Sequence, residues 1–195
     1  MPSAGPHPLP PGRIRARDKA REILAQAPWF LDTETTGLDG EAEVVELAVV
    51  DVEGRVVVET LIEPRGTISG GAFAVHGIAD EMVRSQPLFE AVWAPLVEER
   101  LASRPIVAYN APFDTRMIRQ SLRIAGRPLV GIDNFHCAMA LFTDFYGRRT
   151  RLELAAAHCG VEPDGRLHRA LADADLTRRL VLAIADAADP HYSGE

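Results

Sequence analysis

An α/β domain on a mixed five-stranded sheet is what the sequence predicts, and three observations predict it. Three strand-like runs follow one another early in the chain, separated by turn residues and not by helices, so they pair antiparallel. From residue 87 onward strand-like and helix-like segments alternate, which implies parallel crossovers and helices on both faces. The composition is that of a soluble globular domain: 195 residues, 47% apolar and 25% charged, long enough to bury a core without disulfide or metal staples.

The elements are expected in the following order. Residues 1–12 hold five prolines and two glycines and read as an extended arm. Residues 13–26 have helix-forming composition, stopped by Pro28. There Arg13, Arg15, Arg17, Lys19 and Arg21 outnumber Asp18 and Glu22, which suits a solvated surface helix or, alternatively, a contact to phosphates. Trp29, Phe30 and Leu31 form a strand running into Asp32. Strands over 44–52 and 55–62 follow, with Asp51, Glu53 and Gly54 marking the hairpin turn between them. Then come a helix over 87–101, a buried strand over 105–109 and a helix over 112–125 with Pro112 in its first turn. A short strand over 129–132 precedes helices over 134–146, 151–159 and 169–186, with Gly160 capping the middle one. This divides the chain into an arm with a basic helix (1–27), one domain (28–187) and a short tail (188–195).

Composition also excludes some functions. With 21 basic against 28 acidic residues, a net charge of −7 excludes a protein that holds nucleic acid by bulk charge alone. A nucleic-acid enzyme whose carboxylates are neutralised by metal is still allowed. No window approaches the roughly 18 apolar residues of a membrane span. The N-terminus lacks an apolar signal-peptide core, so export is not expected. Cys137 and Cys159 form no spaced framework, and reduced thiols in a cytoplasmic compartment are the expectation.

Three segments place carboxylates where they need a reason. Asp32 and Glu34 sit two apart at the end of an apolar strand, so both point to one face. Two like charges there repel, and a bound divalent cation with oxygen ligands would reconcile them. A solvent-facing strand end is the alternative. Asp114 falls in the first turn of a helix after a buried strand, where the helix dipole already favours an anion. On a helix, Asp173 heads a stripe continued by Leu176, Leu180 and Ile184, which should face the core. An acid there is costly unless paired or bound to metal. Asp175 lies off that stripe, near Arg178 and Arg179. His168 precedes Asp173 by five residues, at the helix start. Together the segments supply four carboxylates, which match two divalent cations in charge, and one histidine. That is the stoichiometry of two-metal phosphodiester cleavage, in which one metal activates water and the other stabilises the leaving oxygen. An imidazole titrates near neutrality and can take the proton of the attacking water.

The ordered motifs Asp-x-Glu-Thr-Thr-Gly (32–37), Asn-x-x-Phe-Asp (110–114) and His-x4-Asp (168–173) resemble those of the DEDDh branch of 3′–5′ exonucleases, in the ribonuclease H-like superfamily. Its members include proofreading subunits of replicative polymerases, ribonuclease T and oligoribonuclease. The resemblance covers about residues 30–182. The sister branch carries Tyr four residues before the last Asp; position 169 is Arg here, so the histidine branch is implied. The resemblance implies that Asp32, Glu34, Asp114 and Asp173 hold two divalent ions, Mg²⁺ or Mn²⁺, and that His168 is the general base. It implies that Thr35, Thr36, Gly37 and Leu38 hold the 3′-terminal nucleotide, with the Leu38 side chain wedged against a base. Val75-His76-Gly77-Ile78 also resembles a family segment, so His76 either touches substrate or is a loop residue. Asn110 and Phe113 would shape the site. Glu46, an acid in an apolar strand, recurs in the family without an assigned role.

The implied activity is release of nucleoside 5′-monophosphates from single-stranded or frayed 3′ ends, DNA slightly favoured over RNA. A non-catalytic nucleic-acid- or polymerase-binding relative is the alternative. A polymerase or a second copy of the chain is a conceivable partner; few residues follow the last helix, so a long polymerase-binding tail is not expected. Arg116, Arg119 and Arg123 share one helical face, and Arg148, Arg149 and Arg151 cluster, each group facing either substrate phosphates or plain solvent.

Overall fold

The computed structural model describes residues 10–99, 104–164 and 168–187. Most of the proline-rich arm, the tail over 188–195 and Leu167 lie outside the described residues. Among the described residues five strands form one sheet in the order β3-β2-β1-β4-β5: β1 Trp29–Thr35, β2 Val44–Val50, β3 Val56–Leu61, β4 Ile106–Ala108 and β5 Phe135–Cys137. β1 pairs antiparallel with β2, and β2 with β3, while β1–β4 and β4–β5 are parallel. This is the mixed sheet the hairpin succession and the later alternation predict.

Helices cover both faces, and strand alternation decides which side chain meets which layer. On one face Phe30, Val50 and Val107 pack with α1 (Pro11–Leu24), α6 (Ala138–Tyr146), α7 (Leu152–His158) and α8 (Ala170–Ala185). On the other Trp29, Leu31, Leu47 and Val49 pack with α4 (Phe89–Glu99) and α5 (Ala111–Ile124). The basic helix α1 is amphipathic: Ala16, Ala20 and Ile23 are buried against α6 and α8, while Arg15, Asp18 and Lys19 face solvent. Two short helices, α2 (Gly70–His76) and α3 (Asp80–Val83), lie between β3 and α4.

One strand differs from expectation. Residues 129–132 form no strand, and the helix expected from 134 starts at Ala138. Leu129 and Val130 are exposed, and Gly131 has a φ of +76°, a turn conformation that ends any extended run. The free edge of β4 is taken instead by Phe135, His136 and Cys137, in register with Ile106, Val107 and Ala108.

Candidate active site

β4 is short. Its pairing with β1 ends at Phe30 and Val107, so the last residues of β1 have no strand on that side. The first turn of α5 follows β4 after two residues and brings Asp114 to the vacated flank. There Thr33 Oγ1 donates to Asp114 Oδ1 at 2.9 Å, both groups being buried. Thr33 points to the α5 face, and Asp32 and Glu34 therefore point to the α8 face. From α8, Asp173 comes down on that face. One carboxylate oxygen from each of Asp32, Glu34 and Asp173 lies within 4.8 Å of the others, a cluster that could hold a metal ion. Asp114 is not part of this trio; it is the acid that, after burial, most strongly opposes ionisation of Asp32. The structure thus brings together the carboxylates of all three motifs, from both layers of the sandwich.

Among the described residues none of these four acids has a cation within ion-pair distance. Burial, then neighbouring carboxylates, pushes Asp32 well above the usual carboxylate range. Burial and Asp173 push Glu34 up to about 8. Burial raises Asp114 to about 7 despite the Thr33 hydrogen bond. Burial raises Asp173 to about 6, although His168 opposes the shift. Asp173 Oδ2 accepts the backbone N–H of His168 at 3.2 Å, but its buried Oδ1 has no hydrogen-bond partner among the described residues. A buried acceptor without a donor is costly. Hard oxygen donors, convergence and an orphaned carboxylate oxygen together fit a divalent cation.

Glu46 receives the opposite treatment. It stands directly across from Glu34 on β2, where like charges repel, and is 2% exposed. Arg169 Nε donates to both its oxygens, at 3.0 and 3.2 Å, and Arg169 Nη2 donates to Oε1. Glu46 Oε2 also accepts the N–H of Ala170 at 2.9 Å. Glu46 therefore caps the first turn of α8 and anchors the residue next to His168. Its sequence signal was an acid inside an apolar strand; the partner that explains it is more than a hundred residues away.

His168 stands at the rim. Its φ is +60°, a left-handed conformation uncommon outside glycine. Its side chain is 49% exposed, with Nε2 3.8 Å from Glu153 Oε1 on α7. Asp175 lies off the Asp173 stripe, as the helical spacing implies, and pairs with Arg178 and Arg179 at 2.7 and 2.9 Å.

Beside the carboxylates lies a mostly apolar cavity of about 380 Å³, lined by Thr35, Gly37, Leu38, Val75, His76 and Phe113 among others. Leu38 is 73% exposed at its mouth. The segment before it is held from several sides. Thr35 Oγ1 donates to Gly37 O, Thr36 Oγ1 accepts from Glu43 N–H, and Thr36 O accepts from Ser69 N–H. His76 is buried, and both ring nitrogens are engaged: Nδ1 accepts from Ile78 N–H at 2.9 Å, so Nε2 donates to Thr35 O at 3.1 Å. Burial lowers its pKa, keeping the ring neutral. His76 braces the Thr35 backbone from α2 and forms part of the wall. Asn110 stands at the N-terminus of α5 without a side-chain cap bond, and its carbonyl accepts the Phe113 N–H.

Comparison with known proteins agrees with this geometry. The sequence pattern described as "Exonuclease" matches residues 29–181. The chain belongs to this exonuclease family. It is 37% identical over 180 residues to an uncharacterised exonuclease of Escherichia phage 186, covering 86% of this chain and 92% of the relative. It is 28% identical over 178 residues to the DNA polymerase III subunit epsilon of Rickettsia typhi (84% and 73% covered). A solved exonuclease X in complex with 5′ overhanging duplex DNA superposes with a TM-score of 0.64 at 30% identity (80% and 90% covered). The chain has the ribonuclease H-like fold, and its structural neighbours include DEDDh exonucleases. No helix among the described residues is long and apolar enough to cross a membrane.

Proposed function

We propose that this protein is a metal-dependent 3′–5′ exonuclease. It hydrolyses phosphodiester bonds at the 3′ ends of single-stranded or frayed nucleic acid, DNA in preference to RNA, and releases nucleoside 5′-monophosphates. One observation carries the reading. Three converging carboxylates, one with an orphaned buried oxygen, adjoin an apolar cavity with a free leucine at its mouth. The preference for DNA is supported by the polymerase-subunit relative and by the exonuclease X complex, and the former also supports a polymerase as partner class.

In this reading Asp32, Glu34, Asp114 and Asp173 hold two divalent ions, Mg²⁺ or Mn²⁺, which supply Lewis-acid chemistry at the scissile phosphate. Thr35, Thr36 and Gly37 offer the braced backbone to the terminal nucleotide, and Leu38 wedges against a base. Asn110 and Phe113 shape the cavity around it. His168 takes the proton of the attacking water and passes it to solvent, for which a half-exposed ring at the rim suits.

The test compares end-labelled single-stranded DNA, single-stranded RNA, duplex DNA with a recessed 3′ end, a 3′-phosphorylated strand and a closed circle, each with Mg²⁺ and Mn²⁺. Free 3′ ends should be shortened to nucleoside 5′-monophosphates, and the 3′-phosphate should block. Equal cutting of the circle would refute end-directed cleavage. Tight binding with no cutting under either metal would establish the non-catalytic alternative.

A further inference from the structure

We infer that an arginine stripe on α5, comprising Arg116, Arg119, Arg123 and the following Arg127, is the track for the phosphodiester backbone of the strand whose 3′ end enters the site. The inference rests on the nuclease reading above and names the path of its substrate. Arg116, Arg119 and Arg123 fall on one helical face, and Arg127 continues the line in the turn after the helix. All four are exposed, and among the described residues none has a carboxylate within ion-pair distance. Asp39 and Glu41, on the adjacent loop, form no ion pair with them. In a chain of net charge −7, exposed arginines such as Arg55 and Arg65 hold acidic partners, whereas these four stand in one row with no carboxylate at ion-pair distance, Glu90 acting on Arg127 only from farther away.

The stripe is also continuous with the site. Phe113 lines the Leu38 cavity, and the Arg116 guanidinium lies over the Phe113 ring, 5.4 Å from its centroid. Arg116 Nη1 donates to Leu38 O at 3.1 Å, and Arg123 Nη2 donates to Gly40 O at 3.0 Å. Those two arginines hold the loop that carries Leu38, and each keeps further donors free. Arg119 and Arg127 make no side-chain hydrogen bond within the described protein. With Gln120 and Leu129 the four line a shallow groove of about 460 Å³. From Arg116 to Arg123 the helix rises about 10 Å, a length along which a strand presents several phosphates. A guanidinium fork matches a phosphate in geometry and charge. A strand with its 3′ end behind Leu38 thus meets Arg116 first and Arg127 last.

The experiment uses the full chain carrying Arg119→Gln and Arg127→Gln together, changes that spare the loop-holding arginines and keep most of each side-chain stem. Two substrates are compared, a dinucleotide too short to pass Arg116 and a twelve-nucleotide single strand. The expected result is a fall in kcat/KM on the longer strand of roughly tenfold, with the dinucleotide rate and the melting temperature unchanged. Fluorescence anisotropy of the long strand in EDTA should show a shallower salt dependence, with log–log slope smaller by about 1.4 for two lost phosphate contacts. Unchanged cutting and binding of the long strand would overturn the stripe and leave the nuclease reading standing. Equal loss on both substrates would also overturn it, because the effect would then lie at the site itself. If the wild-type protein cuts neither substrate, the nuclease reading fails, and the stripe stands or falls on the anisotropy result alone.

Discussion

Asp32, Glu34 and Asp114 stand on a central strand and the first turn of a helix, inside the sandwich, whereas His168 stands in a bend with a left-handed backbone and half its side chain in solvent. The floor is buried and electrostatically unsatisfied; the rim is half in solvent and close to a single acid, Glu153. Asp173 belongs to the floor by position and to the rim by attachment, since its Oδ2 accepts from the His168 backbone. The difference suits two separate tasks. Ligands for cations must converge before the ions arrive, and that convergence costs stability. A proton carrier must meet both substrate and solvent, so exposure is no loss to it.

The largest effect that would break this comparison is expected at the floor. Asp32→Ala and Asp173→Ala should each reduce cleavage to assay background while the fold is kept, checked by turnover and circular dichroism. The metal-free protein should also show the strain of the floor through pH. Folded Glu34, Asp114 and Asp173 titrate near 8, 7 and 6. In an unfolded chain such groups titrate near 4. Between these limits the folded state binds more protons, so stability is greatest on the acid side and falls as pH rises from about 4, the loss being complete once the folded groups have ionised near 8. Thermal melts in EDTA should therefore show a lower Tm at pH 8 than at pH 5. Mg²⁺ or Mn²⁺ should raise Tm more at pH 8. A Tm that climbs with pH in EDTA would contradict the picture of unneutralised acids.

A smaller loss is expected at the rim. His168→Ala should cut turnover by roughly 10²–10⁴-fold, the usual contribution of a general base. Calorimetric metal affinity should stay near wild type. Loss of metal binding as complete as in Asp32→Ala would make His168 a ligand and erase the division between floor and rim.

Glu46 joins the two regions, and its variant should fall between a site effect and a stability effect. Glu46→Ala strands the Ala170 N–H and the Arg169 guanidinium at the start of α8. Losing such a buried acceptor costs about 1–3 kcal/mol. Denaturant melts should register that cost, and kcat should fall more than KM changes, because Asp173 and His168 hang from the same turn. Glu46→Gln retains an acceptor for Ala170 and should recover part of both. A stability loss with kcat intact would show that the anchor serves the fold alone.

The sequence made the floor legible because regular periods carry it. Period two puts Asp32 and Glu34 on one face, and helical spacing puts Asp173 above Leu176, Leu180 and Ile184, all buried here. What it left dark depends on distant partners. Glu46 has no visible role without Arg169. His76 becomes a brace only once Thr35 O and Ile78 N–H meet its ring. Leu129 and Val130 have strand-forming side chains, yet the edge of β4 pairs with residues 135–137, whose short run carries no alternation to read. The helix α2 escapes a composition reading because it opens on Gly70 and Gly71, which no propensity argument assigns to a helix. Its N-terminus depends on Ser69, whose Oγ accepts from Ala72 N–H.

The smallest effect is expected where floor and scaffold meet through one hydrogen bond. Thr33→Val keeps a β-branched side chain on β1 and removes only the donor to Asp114 Oδ1. The lost bond costs about 0.5–1.5 kcal/mol of stability. Its electrostatic consequence is more specific. The Thr33 hydroxyl is the first of the contacts that hold the Asp114 carboxyl down against burial. Without it Asp114 should titrate higher, and a larger share of it should be protonated at neutral pH. A protonated carboxyl is a poor ligand, so metal affinity near pH 7 should weaken by a few-fold and recover as pH rises toward 8. Calorimetric metal titrations of both proteins across that range read the effect directly. An equal loss at every pH would mean that Thr33 only positions the carboxyl. No loss at any pH would remove Asp114 from the ligand set and leave the floor to Asp32, Glu34 and Asp173.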